Sequence, residues 1–261
     1  DLWFKGYGSE FDITAGSGFT QSTYGGIAGY DLGFENALAG GDMLLLGPTL
    51  GIAGSRVDFG DSSSTLQLDI YRVGAYAVYF DGPLYLDGVA KLDVIDAVFA
   101  APSSASEAEF AMATAGASLE VGYTWMLDER NFLEPQAQIA YSHTWAEDFE
   151  DGSGAEIDLD DSDSLIGRLG LRAGTVLETG QRGRIAPYLQ AGVLHEFLGA
   201  TAATVSDLTF DAGIAGTSYE VGLGAHAADL ASNVSAYVDL LYRFGGEVEG
   251  VKGLVGIRYS W

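Results

Sequence analysis

The last eleven residues of the chain, 251–261, alternate between apolar and polar side chains. The odd positions that carry large apolar or aromatic side chains are Val251, Val255, Ile257, Tyr259 and Trp261. The even positions that carry polar side chains are Lys252, Arg258 and Ser260. A period of two residues indicates a β-strand whose two faces meet different surroundings. In a closed membrane barrel the last strand pairs with the first and turns an apolar face to lipid, so this stretch predicts the closing strand of such a barrel.

The same alternation returns along the whole chain at a spacing of about twenty residues, as expected for strands of about 9 to 11 residues or more that cross an outer membrane. The twelve predicted strands are 2–12, 23–34, 43–59, 65–80, 84–98, 109–125, 132–145, 164–176, 184–197, 215–228, 234–244 and 251–261. Both faces of the fourth strand, 65–80, carry aromatic residues, which leaves a β-bulge possible there.

A soluble β-sandwich would also alternate, but two features favour a membrane barrel. The apolar faces stay apolar over spans long enough to cross a bilayer, and aromatic residues cluster near strand ends, where barrels carry their aromatic girdles. No uninterrupted apolar run of about 18 residues occurs, which excludes a transmembrane helix. We therefore expect one domain, residues 1–261, with an all-β fold: a transmembrane antiparallel β-barrel of twelve strands.

The composition limits the possible functions. The chain has no cysteine, which excludes disulfides and thiol chemistry. Its net charge of −25 disfavours nucleic acid as a partner, because phosphates require a basic face. The negative charge fits either solubility or a surface rich in divalent cations.

The polar faces of the strands predict a charged barrel interior. The acidic residues expected there are Glu120, Glu134, Glu196, Glu220 and Asp239, and the basic ones are Arg168, Arg172, Arg243, Arg258 and Lys252. Charges of one sign in a narrow pore would repel each other, so we expect ion pairs. These residues form either an ion-pair network that stiffens the barrel or a track that contacts a segment threaded through it.

The segment 146–163 is strongly acidic, with nine acidic residues in eighteen and no basic one. It is interpreted as a solvated loop outside the membrane. Its carboxylates Asp158, Asp160, Asp161 and Asp163 are also candidate ligands for a hard cation, although the glycine and distal glutamate of a calcium loop are missing. A bridge by calcium or magnesium between this loop and lipopolysaccharide is a hypothesis that calorimetric titration with calcium would test.

Catalytic patterns are not apparent in the sequence. The histidines are His143 and His195, expected on the lipid side near the loop end of the barrel, and His226, expected inside near the turn end. No serine or cysteine is placed by sequence with a histidine and an aspartate, as an outer-membrane hydrolase would require. We expect rim packing for the histidines, no enzyme activity, no cofactor and no metal site beyond the candidates above.

Several segments resemble the β-domains of autotransporters. Residues 132–141 (FLEPQAQIAY) and 185–197 (IAPYLQAGVLHEF) are similar to two strands of that family, and 164–174 and 237–245 resemble two more. The end of the chain resembles the family's outer-membrane assembly signal at Gly256, Tyr259 and Trp261, whereas Leu254 departs from the polar residue preferred there. The resemblance runs over nearly the whole chain.

The resemblance implies the function. The family fold is a twelve-stranded barrel with one helix in its pore, supplied by a passenger segment that would precede Asp1. The chain would then be a type V translocator in the outer membrane of a Gram-negative bacterium, where it anchors the passenger and helps it to the cell surface. Expected partners are outer-membrane lipid, lipopolysaccharide and the barrel-assembly machinery, and the expected state is a monomer. The alternative is a stand-alone pore or adhesin-like barrel without a passenger.

Overall fold

The computed structural model describes residues 1–16, 18–60, 64–101, 107–150, 156–180, 183–199, 202–205, 208–211, 215–229 and 233–261. Among these residues, no helix is long and apolar enough to cross a membrane.

Twelve long strands make up the fold, three of them continued by a short segment on the far side of a break. They are β1 Leu2–Ile13, β2 Phe19–Tyr30 (continued by Leu32–Glu35), β3 Met43–Phe59, β4 Thr65–Asp81, β5 Leu84–Ala100, β6 Ala108–Tyr123 (continued by Trp125–Met126), β7 Asn131–Ala146, β8 Ser162–Thr175 (continued by Leu177–Thr179), β9 Gly183–Glu196, β10 Gly216–Asp229, β11 Val234–Phe244 and β12 Val248–Tyr259. The predicted number and order of strands are confirmed, with boundaries that differ by a few residues.

The sheet closes on itself. Each strand pairs antiparallel with its neighbour in sequence, and β12 pairs with β1 without interruption from Leu2 opposite Tyr259 to Ile13 opposite Val248. Closure removes both edges of the sheet, so each strand finds backbone partners on both sides. The predicted twelve-stranded antiparallel barrel is confirmed.

The burial of side chains is the inverse of that in a soluble protein. On β3 the exposed fraction is 67% for Leu50 but only 8% for its neighbour Thr49, so the apolar residue faces outward and the polar one inward. The same holds for β12, where Val255 and Ile257 are exposed. An outer wall of this kind is stable only against lipid, because in water it would be a continuous apolar surface.

The orientation of β4 is settled by its neighbours. Its register runs without a break along β3, from Thr65 opposite Asp58 to Phe80 opposite Met43, and it is equally continuous along β5. No bulge interrupts the strand, so the bulge that the sequence left possible does not occur. Tyr71 and Val73 face lipid and Arg72 faces the interior.

The two ends of the barrel differ. Short connections such as 82–83 and 127–130 lie at one end together with both chain termini, and we call this the turn end. The longer connections lie at the opposite, loop end, where a small four-stranded sheet forms from Phe149–Glu150, Glu156–Leu159, Ala202–Val205 and Leu208–Asp211. The predicted acidic loop 146–163 therefore contains two short strands. In outer-membrane barrels the short turns are periplasmic and the longer loops extracellular.

The turn between β6 and β7 is organised by one carboxylate. Asp128 accepts hydrogen bonds from the backbone N–H groups of Asn131 and Arg130, both at 2.8 Å, and from the Asn131 side-chain amide at 2.7 Å. The backbone and side-chain bonds from Asn131, followed by the backbone bond from Arg130, hold the pKa of Asp128 below its usual value. The ionised side chain of Asp128 therefore fixes the conformation of the turn, because it satisfies backbone N–H groups that the short connection cannot pair by itself.

Inside the barrel, aromatic rings lie over glycines of the neighbouring strand. Tyr85 lies on Gly122, which it faces directly across β5 and β6, and Tyr237 lies on Gly256 across β11 and β12. The further pairs of this kind are Trp3 on Gly29, Tyr7 on Gly25 and Tyr188 on Gly224. A side chain on any of these glycines would occupy the volume of the ring, so the glycines give large rings room inside a narrow barrel.

Gly256 and Gly253 allow a matched test of this packing. A methyl group on Gly256 would overlap the Tyr237 ring, whereas one on the outward-facing Gly253 would have its nearest neighbour at 4.0 Å. We expect Gly256→Ala to lower the free energy of unfolding by about 1–3 kcal/mol, as overpacking does, and Gly253→Ala to leave it nearly unchanged. Urea unfolding of the refolded barrel in detergent, followed by tryptophan fluorescence, measures both. Equal effects of the two variants would contradict the packing role.

Candidate functional site

The barrel interior is organised around Arg168 of β8. Its side chain is 12% exposed. Its Nε donates to Oε1 of Glu220 at 2.6 Å, and its Nη1 donates to Oε1 of Gln136 at 3.1 Å. The same Nη1 lies 3.9 Å from Oε2 of Glu120. One guanidinium therefore connects strands β6, β7, β8 and β10, which the planar, multi-donor group is suited to do.

A second network lies closer to the turn end. Arg172 donates from Nη1 to Oε1 of Glu134 at 3.0 Å, and the other oxygen of Glu134 accepts from the hydroxyl of Thr124 at 2.6 Å. Gln136 donates to Glu134 at 2.8 Å and to the hydroxyl of Tyr85 at 3.0 Å. Tyr85 in turn donates to Glu120 at 2.6 Å, which joins this network to the one around Arg168.

Tyr188 carries the network on to Asp239. The Arg172 guanidinium lies 4.4 Å above the centre of the Tyr188 ring, within the range of a cation–π contact. The Tyr188 hydroxyl donates to Asp239, and Gln190 donates to the same oxygen at 3.3 Å. His226 packs against the rings of Tyr188 and Tyr237, inside the barrel near the turn end, as the sequence predicted.

Glu196 and Arg258, two more of the predicted interior residues, lie in separate clusters at opposite ends of the barrel. Glu196, near the loop end, accepts from the Ser164 hydroxyl at 2.6 Å and from the backbone N–H of Leu165 at 2.8 Å. At the turn end Arg258 lies 2.8 Å from Asp31, whose other oxygen accepts from Trp3 Nε1 at 3.0 Å.

Sequence reasoning missed one strong ion pair. Arg72 donates to both oxygens of Asp93, at 2.6 and 2.8 Å, and Lys91 approaches the same carboxylate at 2.8 Å. Asp93 and Lys91 lie on β5, whereas Arg72 lies on β4, whose orientation the sequence left ambiguous. The signal that could have found it is the register, since Arg72 lies directly opposite Asp93.

Two of the predicted interior cations have no carboxylate at ion-pair distance within the described part of the chain: Lys252 and Arg243. Arg243 donates to the Ser218 hydroxyl at 2.8 Å. Lys252 is exposed to the lumen. Lys5 of β1, which was not among the predicted interior cations, also has no carboxylate at ion-pair distance within the described residues.

The loop end of the interior is apolar, which the sequence analysis also missed. Five phenylalanines form a chain of ring contacts there, with centroid separations of 6.0, 6.4, 6.2 and 4.3 Å: Phe19, Phe59, Phe99, Phe149 and Phe110. Phe149 belongs to the small loop sheet, so these rings attach that sheet to the barrel wall. The signal available was the parity of each barrel phenylalanine, which places it on the same face as the inward residues of its strand.

The predicted assembly signal lies on the closing strand at the turn end. Trp261 is 67% exposed and Tyr259 is exposed beside it, with their ring centroids 6.0 Å apart. Trp261 also contacts Tyr30 of β2 at 5.9 Å. Gly256 lies on the inner side beneath Tyr237. The two aromatic residues thus form part of an outward aromatic group at the membrane boundary, and their part in assembly stays a prediction.

The candidate cation ligands do not converge. Among the described residues, no group of three or more histidine, aspartate or glutamate side chains could hold a metal ion. Asp163 accepts a hydrogen bond from Tyr141 at 2.6 Å and lies 3.0 Å from His143 Nδ1. Asp161 lies 3.7 Å from the other nitrogen of that ring, and Asp160 is exposed. The side chain of Asp158 lies outside the described residues.

The outer histidines engage local partners. His143 packs on Trp145 as well as against Asp163. His195 lies 2.7 Å from the Thr217 hydroxyl and packs on Phe197. Both lie on the outward side near the loop end, as predicted.

Twelve antiparallel strands closed into a ring, with an apolar outer wall and a charged interior, define a transmembrane β-barrel. Comparison with known proteins shows which family of transmembrane β-barrels the chain belongs to. A family model described as the autotransporter beta-domain matches residues 2–240, and the chain belongs to this family. It is an outer-membrane translocator barrel of the kind found in Gram-negative bacteria.

The relatives are parts of much longer proteins. The pertactin autotransporter of Bordetella bronchiseptica is 31% identical over 268 residues, which cover 99% of this chain and 28% of the relative. The autotransporter adhesin/invasin TibA of Escherichia coli is 27% identical over 194 residues, covering 72% of this chain and 19% of the relative. The chain thus spans less than a third of the curated relatives it matches.

Solved structures share the fold. The β-domain of the Bordetella autotransporter BrkA superposes with a TM-score of 0.84 at 25% identity, covering 100% of this chain and 98% of that one. The translocator domain of NalP from Neisseria meningitidis superposes with a TM-score of 0.77 at 16% identity, covering 100% of this chain and 88% of that one.

The position of Arg168 predicts a large effect of its removal. Arg168→Ala leaves Glu220 as an unpaired buried charge, so we expect the free energy of unfolding to fall by about 3–5 kcal/mol. Adding Glu220→Gln should restore part of this loss, because no uncompensated charge then remains. Arg56→Ala, which breaks the exposed pair with Asp58, should cost only about 0–1 kcal/mol.

Urea unfolding in detergent measures the variants side by side. If Arg168→Ala and Arg56→Ala had equal effects, the interior network would not stabilise the barrel.

Proposed function

We propose that this barrel anchors an upstream passenger in the outer membrane and accommodates the passage of that passenger to the cell surface. The observation that supports this most directly is the polar, water-accessible interior of a closed barrel in a chain of the autotransporter β-domain family. A polypeptide that crosses such a barrel stays in contact with water and polar side chains, and lipid is excluded by the closed wall. The role is transport rather than catalysis.

The proposed partners follow from the surfaces. The exposed apolar wall requires outer-membrane lipid, and the loop end is placed to meet lipopolysaccharide. The outward aromatics of the closing strand are proposed as the element that the barrel-assembly machinery reads. We propose a monomer, because the barrel has no free sheet edge for another copy to extend. Nucleic acid is not proposed as a partner, because the chain carries a net charge of −25.

The function is tested on the full-length precursor in intact cells. Protease added outside should release a large upstream fragment and leave a membrane-embedded core near 27.4 kDa, the mass of this chain, identified by mass spectrometry. Cells with a disrupted outer membrane serve as the control for periplasmic material. A precursor that carries nothing upstream except a signal peptide would contradict the proposal and leave a stand-alone pore or adhesin-like barrel.

The closing strand provides a second prediction. Replacing Tyr259 and Trp261 together by alanine should slow membrane insertion severalfold while leaving the inserted barrel stable, because both side chains lie on the outer surface and support no interior contact. Pulse-labelling followed by the heat-dependent gel shift of folded barrels measures the insertion rate. The outward pair Val255 and Ile257, replaced together by alanine on the same strand, is the matched control. An unchanged rate in the aromatic variant would remove the assembly role.

A further inference from the structure

The pairing of β12 with β1, which we call the seam, differs from the other strand pairs of the barrel. Consecutive strands are joined by the chain itself, as β4 and β5 are at 82–83. β1 and β12 are the first and last strands, so no turn connects them. The seam is therefore held by its backbone hydrogen bonds and by the side chains that bridge it.

Polar side chains of β1 and β12 do not meet directly in the part of the chain that the structure describes. There, no side chain of Leu2–Ile13 forms a hydrogen bond or an ion pair with a side chain of Val248–Tyr259. The pair of β1 and β2 does have such bonds, for example from Ser22 to Glu10 at 3.2 Å. Because paired strands fray first at their ends, the two ends of the seam decide how readily it opens.

The loop end of the seam is secured by packing and by the backbone. Phe11 of β1 lies over Gly250, directly opposite it on β12. The backbone N–H of Thr14 donates to the carbonyl of Glu247 at 2.9 Å, just beyond the two strands. These contacts leave the turn end of the seam to be secured separately.

At the turn end an ion pair reaches across β1. Arg258 of β12 extends past Trp3, its direct partner on β1, and its Nη2 lies 2.8 Å from Oδ2 of Asp31. Asp31 lies in the break between β2 and its continuation Leu32–Glu35. The pair therefore ties β12 to the strand on the far side of β1, and it can form only when β1 and β12 are together.

Asp31 depends on this cation. Its side chain is only 1% exposed. Its Oδ1 accepts from Trp3 Nε1 at 3.0 Å, and the same N–H is shared with the Tyr76 hydroxyl at 2.8 Å. Within the described residues, Oδ2 has no hydrogen-bond partner besides its contact with Arg258. Because a buried carboxylate that loses its only cation is strongly destabilised, opening the turn end of the seam is opposed by the unpairing of Asp31.

We propose that Asp31 and Arg258 form a latch that holds the turn end of the seam closed, with Trp3 as the residue that positions Asp31. The latch acts at the last step of closure, because its two halves meet only after β12 has paired with β1. In the finished barrel it limits transient opening of the seam toward lipid. This inference concerns the wall of the barrel and does not depend on the passage of a passenger.

Hydrogen exchange followed by mass spectrometry tests the latch on the 261-residue chain refolded in detergent. We expect Asp31→Asn and Arg258→Gln each to raise the exchange rate of the β1 and β12 amides in the turn half of the seam by at least about tenfold, equivalent to about 1.4 kcal/mol. The amides of the β4–β5 hairpin should be unchanged. Arg56→Gln, which breaks the exposed pair with Asp58 on β3, is the control and should change neither region.

A double variant distinguishes a latch from two residues that stabilise the barrel separately. If Asp31 and Arg258 act as one pair, Asp31→Asn combined with Arg258→Gln exchanges no faster than the faster of the two single variants. Effects that add up would overturn the pairing.

A disulfide across the seam shows whether the latch acts on opening. The chain has no cysteine, and Phe4 lies directly opposite Ile257, with both side chains on the outer surface. Directly opposite residues of antiparallel strands have the Cα separation that a disulfide needs. With Phe4→Cys and Ile257→Cys oxidised, Asp31→Asn should exchange no faster in the turn half than the same cross-linked chain with Asp31 intact. Reduction with dithiothreitol should restore the difference.

Three results would overturn the latch: unchanged exchange in both single variants, an equal rise in the β4–β5 hairpin, or a rise that the disulfide does not remove. If Asp31→Asn does not fold, as judged by the heat-dependent gel shift, it is refolded together with Phe4→Cys and Ile257→Cys in a glutathione redox buffer. A closed barrel then supports the latch, and continued failure overturns it. The translocator function is tested independently, in the protease experiment on cells.

Discussion

The structure depends on one constraint: inside a bilayer, every backbone N–H and C=O group needs a partner within the protein. The pairing of β12 with β1 meets that requirement, because it removes the only two edges that the sheet would otherwise have. Closure then fixes the rest. Side chains must point alternately to lipid and to the interior, so the outer wall is largely apolar and charges such as Arg168 and Glu220 are directed inward.

A barrel of this size is too wide for its side chains to fill as they fill a soluble core, and the interior is built differently as a result. Rings lie on glycines, as Tyr237 lies on Gly256, and fixed ion pairs such as Arg168 with Glu220 connect strands that are not neighbours. The apolar core gathers instead at the loop end, where phenylalanines attach the small loop sheet to the wall. Rigidity thus comes from polar networks and ring packing, while part of the lumen stays open to water.

The closing strand combines several of these demands. Its outward residues Tyr259 and Trp261 lie in the aromatic boundary of the membrane, and its inward Gly256 receives the Tyr237 ring. The same strand carries Lys252 into the lumen. A single β-strand can do all of this because its alternating faces are chemically independent. Assembly and closure are therefore proposed to meet in the twelve residues Val248–Tyr259 and in Trp261.

The sequence by itself determined the number of strands, their order and, for most of them, which side chains face lipid. It could do so because a two-residue period maps directly onto two faces, and a transmembrane strand has only lipid and interior to choose between. It failed for β4, where aromatic residues on both faces hid the period, and so it missed Arg72. Only the tertiary structure decided which interior charges are paired. Whether Arg168 reaches Glu220 depends on the register and stagger between strands far apart in sequence, and no local pattern records that distance.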